Sequence, residues 1–235
     1  MQDRIKSAPL GPGSAALDRV LRDRFSCRAF LARPVARETI MRILAMAQRT
    51  ASWNNVQPWN VIITEGEATE RFRRALLRRA RDGREPIRDF PFPREYREPY
   101  LSRRRECGFA LYDAVGVRRG DKAAYARQTL ENFRLFGAPH VALISTDEAL
   151  GVYGAVDCGA YVMSFMLAAR SLGVATIAQA ALASISDLVR AHFKLPEEQL
   201  FICGISFGYA DMAHPANLYR TTRVNTEKVA AFVSD

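Results

Sequence analysis

The chain has 235 residues, 49% hydrophobic and 25% charged, enough apolar material for one well-packed domain. No run approaches 18 uninterrupted apolar residues, and the opening MQDRIKSAPLGPGS lacks an apolar signal core, so a cytoplasmic protein is expected, neither membrane-spanning nor secreted. The net charge of +9 admits nucleic acid or anionic small ligands as partners, but no zinc-finger or RNA-binding signature accompanies it. Cys27, Cys107, Cys158 and Cys203 form no CxxC pair and match no zinc spacing; free thiols and no metal site are expected.

Taken in chain order, residues 1–13 read as a loose Pro/Gly arm, and Ser14 as the cap of a helix reaching Arg24. A turn follows at Phe25–Arg28. Val35–Thr50 carries Ile40, Ile43, Leu44 and Ala47 at helical spacing, which predicts an amphipathic helix. Ser52–Pro58 is a polar loop, and Trp59–Thr64 a β-branched strand. Helix 67–82 precedes residues 83–104, where four prolines, many arginines and several aromatics show no periodicity, the signature of a long mobile or functional loop. Two helices are expected at 105–118 and 121–135, a strand at His140–Ser145, and a buried, nearly all-apolar helix at 154–172 that Gly173 ends. A strand at Ala175–Ala178, a helix at Ser184–Phe193 and a strand at Gln199–Ile205 lead into a tail from Phe207 that is rich in Gly, Pro and polar residues. These elements predict an α+β fold: one domain over 14–235 with one small central sheet flanked by helices. Gly-rich dinucleotide and phosphate loops are both absent.

Three segments carry chemistry. Arg24-Phe25-Ser26-Cys27-Arg28 places two guanidiniums and a hydroxyl in one turn, suited to an anion through charge-assisted hydrogen bonds. Ser52-Trp53-Asn54-Asn55-Val56-Gln57-Pro58-Trp59 gathers amides and a hydroxyl before a strand, suited to a polyhydroxyl ligand; the same residues also suit a turn with Asx-type backbone bonds. The third pairs Leu172–Ala181 with the tail Asn217-Leu-Tyr-Arg220-Thr-Thr-Arg223.

In this order, RxSxR, SxxNxQPW, LG–xxxx–Q and NxxRTxR resemble the FMN-dependent nitroreductase family from about Leu17 onward. The segments REPYLSRRRECGFALY and NFRLFGAP resemble its nitrobenzoate-reductase-like branch. The resemblance implies a mainly antiparallel central sheet and an intertwined homodimer, with residues 207–235 as an extension exchanged around the partner, and FMN held by both copies. Arg24 and Arg223 would hold the phosphate, with Arg220 as helper and Phe25 and Ser26 alongside. Arg28 would lie at flavin N1 and O2. Ser52, Trp53 and Asn55 would come from the other copy. The backbone N–H of Gln179 would face flavin N5, flanked by Ile177, Ala178 and Ala180. NAD(P)H would reduce the flavin, and an electron-poor acceptor such as a nitroaromatic would reoxidise it by ping-pong turnover, with protons from solvent and no side chain assigned as acid or base. Loop 83–104 and Phe109 would wall the acceptor pocket. Ala51, Phe25 and Ala180 depart from residues frequent in the family, Phe25 from one often polar or basic; none of the departures removes a charge partner, so FMN binding is expected to survive. Enone, quinone or halogenated-aromatic reduction would use the same site. A flavin-binding member without turnover and a basic nucleic-acid-binding module are the other readings.

Overall fold

The computed structural model describes residues 11–234; residues 1–10 of the expected arm lie outside them. Helix α1 (Pro12–Asp23) begins before Ser14, with Gly11 as its cap and Pro12 preset in the first turn. Then come α2 (Arg37–Ala47), β1 (Asn60–Thr64), α3 (Glu67–Arg81), α4 (Tyr100–Ala114), α5 (Lys122–Leu130), β2 (His140–Asp147), α6 (Gly151–Ser171), β3 (Ala175–Gln179), α7 (Ser186–Phe193) and β4 (Gln199–Gly208). The four strands form one sheet in the order β1-β2-β4-β3, every pair antiparallel, so the expected α+β class holds.

Both faces of the sheet are covered. On one, Ala142 and Ile144 of β2 and Cys203, Ile205 and Phe207 of β4 pack against Ile40 and Ile43 of α2 and Tyr161 and Phe165 of α6. On the other, Val141, Leu143 and Phe201 meet Phe72 and Leu76 of α3, Leu182 and Val189. A strict period of two would put Phe201 on the same face as Cys203. A β-bulge resolves this: Ile144 pairs with Cys203 but Ser145 with Phe201, so Ile202 is the extra residue and the phase inverts.

Two expectations are corrected. The segment 83–104 is not a single loop. Its start is pinned: buried Arg79 donates to the carbonyls of Arg84 and Glu85 and pairs with Asp82 and Asp187. Asp89 accepts from the Phe201 N–H at 2.8 Å and pairs with Arg190. Its last five residues are the start of α4, capped by Pro99. Nor is the apolar helix buried throughout. One face of α6 lies on the sheet and α2, while Val152, Tyr153 and Val156 are 74%, 61% and 58% exposed. By length and composition α6 could cross a membrane; here it is a core helix with one uncovered side.

Candidate functional site

β3 is an edge strand, and the turn after α1 completes it. Ser26 bridges Thr176 in parallel, and Cys27 N–H donates to the Thr176 carbonyl at 3.0 Å. The tail closes on the same turn: Leu31 N–H donates to Tyr209 O at 2.8 Å, and Asp211 N–H to Ala29 O at 3.0 Å. The first part of the 207–235 extension therefore belongs to this chain's own fold. Farther along, Phe232 and Val233 stand 98% and 95% exposed.

This arrangement brings the first and third segments together. Half-buried Arg24 has its ordinary pKa lowered by burial and then by the charge of Arg223, and its Nε is buried without a hydrogen-bond partner among the described residues. Among the described residues Arg223 bonds to Thr221 and the Thr222 carbonyl alone. The Arg220 guanidinium lies over the Phe25 ring at 4.0 Å and donates to Asn217 O and Tyr219 O. Arg28 donates to Ser26 O at 3.2 Å and faces the Tyr219 ring at 5.8 Å. Among the described residues, none of these four arginines has a carboxylate partner. Guanidiniums without carboxylate partners, two of them close enough for Arg223 to lower the pKa of Arg24, are suited to an anion.

Beside them β3 presents a low surface. Ala178 and Ala180 are exposed; Ile177 and Gln179 point inward. Because Thr176 turns its carbonyl to the open edge, strand alternation turns the Ala178 peptide the same way and the Gln179 peptide toward its partner Gly204. The Gln179 side chain is locked inside, accepting from Ser206 Oγ at 2.5 Å and donating to Asn132 O at 2.9 Å. In the single chain the Gln179 N–H thus faces the sheet ladder, contrary to the sequence-based expectation, and Ala178 offers the outward amide.

The Ser52–Trp59 segment lies elsewhere. It leads into β1, the opposite edge of the sheet, roughly 14 Å or three strand spacings from β3. Ser52 Oγ accepts from Gln57 N–H, Trp53 N–H donates to Asp157 of α6, and the Trp53 ring packs edge-on against Tyr153 at 4.5 Å. Asn54, Asn55 and Gln57 hold φ of 49°, 57° and 52°, a strained run for non-glycine residues that Asn tolerates best. Trp53 and Asn55 remain exposed. Within one chain, then, these residues do not reach the arginines.

Sequence reasoning missed Asn217, whose buried carboxamide joins the turn to the tail, and Tyr219, whose hydroxyl pKa burial raises against the opposing charge of Arg28. It also missed α4 as a neighbour of the tail: Glu106 accepts from Thr222 Oγ1 at 2.8 Å. Phe109 sits on this helix, half exposed under Arg119.

An antiparallel four-stranded α+β sheet, with arginines from the turn and tail beside its edge strand, defines the structural class, and comparison with known proteins narrows it. Residues 21–209 match the Nitroreductase family. The chain is 32% identical over 227 residues to the nitrobenzene nitroreductase of Ectopseudomonas oleovorans, covering 95% of this chain and all of that one. It is 31% identical to the 4-nitrobenzoate reductase of a Nocardioides species, covering 95% and 92%. The crystal structure of the FMN-dependent nitroreductase NfnB from Mycobacterium smegmatis in complex with NADPH superposes with a TM-score of 0.90 at 32% identity, covering 94% of this chain and 99% of that one. This chain belongs to the nitroreductase family.

Proposed function

We propose that the protein is a cytoplasmic, homodimeric FMN-dependent oxidoreductase that carries reducing equivalents from NAD(P)H to nitroaromatic acceptors. The observation that carries this reading is the Arg24–Arg223 pair, two guanidiniums without a carboxylate, one with a buried Nε lacking a partner, beside the bare backbone of Ala178 and Ala180. A phosphate supplies the missing acceptor, and a flat ring fits against alanine methyls. Bound FMN supplies the two-electron chemistry. Arg24 and Arg223 would hold its phosphate with Arg220, held over Phe25, as helper. Ser26 would stand beside the phosphate or ribityl chain, and Arg28 would supply a positive charge that favours the reduced flavin. Ile177 and Gln179 fix β3 from behind. The relatives named for nitrobenzene and 4-nitrobenzoate support a nitroaromatic acceptor, with α4, Phe109 and the exposed part of the loop before it as the pocket wall.

Two copies complete the site. The exposed Val152, Tyr153 and Val156 of α6, with Trp53 beside them, form an apolar patch of the kind that marks an interface. A two-fold axis there brings Ser52, Trp53 and Asn55 of the partner subunit to the opposite edge of the sheet. The tail around Phe232 and Val233 buries its apolar side chains by wrapping the second copy.

The test is a visible spectrum of the purified protein, anaerobic addition of NADPH or NADH, and an acceptor panel. Flavin absorption that the nucleotide bleaches, and a nitroaromatic recovers, is expected. A protein that takes up no FMN refutes the assignment, and preference for enones or quinones over nitroaromatics refutes the acceptor. Val156→Arg is expected to abolish the dimer by sedimentation; an intact dimer refutes the α6 interface.

A further inference from the structure

We propose that Asn217 is the positioning residue that welds the two arginine segments into one cofactor cradle and sets the aim of Arg28; the proposal rests on the flavin reading of this site. Asn217 is fully buried. Its Oδ1 accepts from the Arg28 backbone N–H at 2.7 Å, and its Nδ2 donates to Ala29 O and to Asp211 O, both at 2.8 Å. Two carbonyls and one N–H around a single carboxamide fix its orientation, and no other side chain of this size offers one acceptor and two donors in a plane. The backbone of the same residue extends the weld: its carbonyl receives Arg220 Nη1 at 2.7 Å, and its N–H donates to His214 O at 3.0 Å. One residue therefore touches the turn that carries Arg24, Ser26 and Arg28, the run that leaves β4, and the side chain of Arg220.

Arg28 depends on this weld. Its guanidinium has one hydrogen bond, to Ser26 O within its own turn, and a ring contact to Tyr219, two residues beyond Asn217. Both contacts leave the direction of the side chain to the backbone, and Asn217 holds that backbone. Other bonds join the same segments, Leu31 N–H to Tyr209 O and Asp211 N–H to Ala29 O. Loss of the carboxamide therefore loosens the cradle without separating its halves.

The experiment is a double-mutant cycle on Asn217→Ala and Arg28→Ala, read by the FMN dissociation constant, the midpoint potential of the bound flavin and the melting temperature of the apoprotein. Both single variants are expected to shift the potential negative, because a positive charge near the ring favours the reduced state. Asn217→Ala is also expected to weaken FMN about tenfold or more, and to change the potential little further once Arg28 is gone. A purely structural role lowers melting while leaving the potential in place, which overturns the proposal, as does a potential shift that persists undiminished in the Arg28→Ala background. An Arg28→Ala variant with unchanged potential instead refutes the placement of Arg28 at the flavin. Asn217→Ser, which keeps a polar atom, is expected to be intermediate in both readouts; if neither Asn217 variant folds, the residue is a folding determinant and the proposal fails.

Discussion

Replacing Arg24 with Met should move the free and the cofactor-bound protein in opposite directions. In the free protein the Arg24 guanidinium is half buried, its pKa is lowered first by desolvation and then by Arg223, and its Nε has no partner. A buried donor left unsatisfied costs about 1–3 kcal/mol. Met retains most of the volume and the flexible stem, so the net gain in the apoprotein is about 1 kcal/mol after lost contacts, or about 2–4 °C in melting temperature for a chain of this size. On the proposed reading the same nitrogen meets a phosphate oxygen when FMN binds. Hydrogen bonds involving charged groups contribute about 1.5–3 kcal/mol, so the variant should bind FMN about 10–100-fold more weakly. At fixed FMN, a tenfold weaker affinity removes about 1.4 kcal/mol of ligand stabilisation. Melting curves of both proteins, with and without saturating FMN, are the assay: the variant should melt above the wild type when free and gain less on binding. An apo variant that melts well below the wild type, or equal FMN affinity in both, refutes the reasoning, because Arg24 is then a packing residue rather than a group that meets an anion.

Gly204→Ala should destabilise the sheet by about 1–3 kcal/mol. An added Cβ would stand 2.5 Å from Leu182 Cδ1 and 3.4 Å from Val141 Cγ2, inside the core between β4 and the turn after β3; an unchanged urea midpoint would count against that packing. His140 should make stability fall in mild acid. Its Nε2 accepts from Val35 N–H at 3.0 Å and its Nδ1 meets Thr64 O at 3.1 Å, so the ring serves as a neutral bridge, and burial lowers its pKa. A depressed folded-state value means the contribution is complete above the unfolded value near 6.5 and is lost as pH falls toward the folded value. Urea midpoints between pH 8 and pH 5 should decline more steeply for the wild type than for His140→Gln; parallel profiles would exclude His140 as the cause.

The sheet and its helices were legible because their signals are local. Ile40, Ile43 and Ala47 all face the core at the spacing that announced them, and β2 alternates between the two cores from Val141 to Ile144. What escaped depends on partners distant in sequence. The bulge at Ile202 leaves no trace in composition, because either phase of β4 reads as apolar. The first turn of α4, Tyr100-Leu-Ser-Arg-Arg, has neither a polar cap nor an apolar stripe, so it merged with the loop before it. The pinning of residues 84–89 needs Arg79, Ser186 and Phe201, which lie on three different elements. Asn217 was visible only as a letter in a motif; its work is done against residues 28 and 29, nearly the whole chain away.

The α6 helix shows why a sequence apolar on all sides is ambiguous. Such a helix reads as buried, and one half is: Cys158, Tyr161 and Phe165 lie against the sheet. The other half, Val152, Tyr153 and Val156, carries the same composition but faces outward, and next to it stand the strained Asn54–Gln57 turn and the exposed Trp53. Hydrophobicity records that a surface will be covered, not by which chain. The same logic connects the site to the assembly. The arginine cradle occupies one edge of the sheet and the Ser52–Asn55 turn the other, so a ligand needing both cannot be bound by one copy. A strained loop is maintained only where surrounding structure or function holds it; in a single chain the Asn55 backbone donates to Ser52 O and accepts from the Gln57 side chain, while the Asn55 carboxamide makes no hydrogen bond among the described residues. If the second copy supplies that side chain, as proposed, FMN affinity and dimerisation should weaken together in Asn55→Ala.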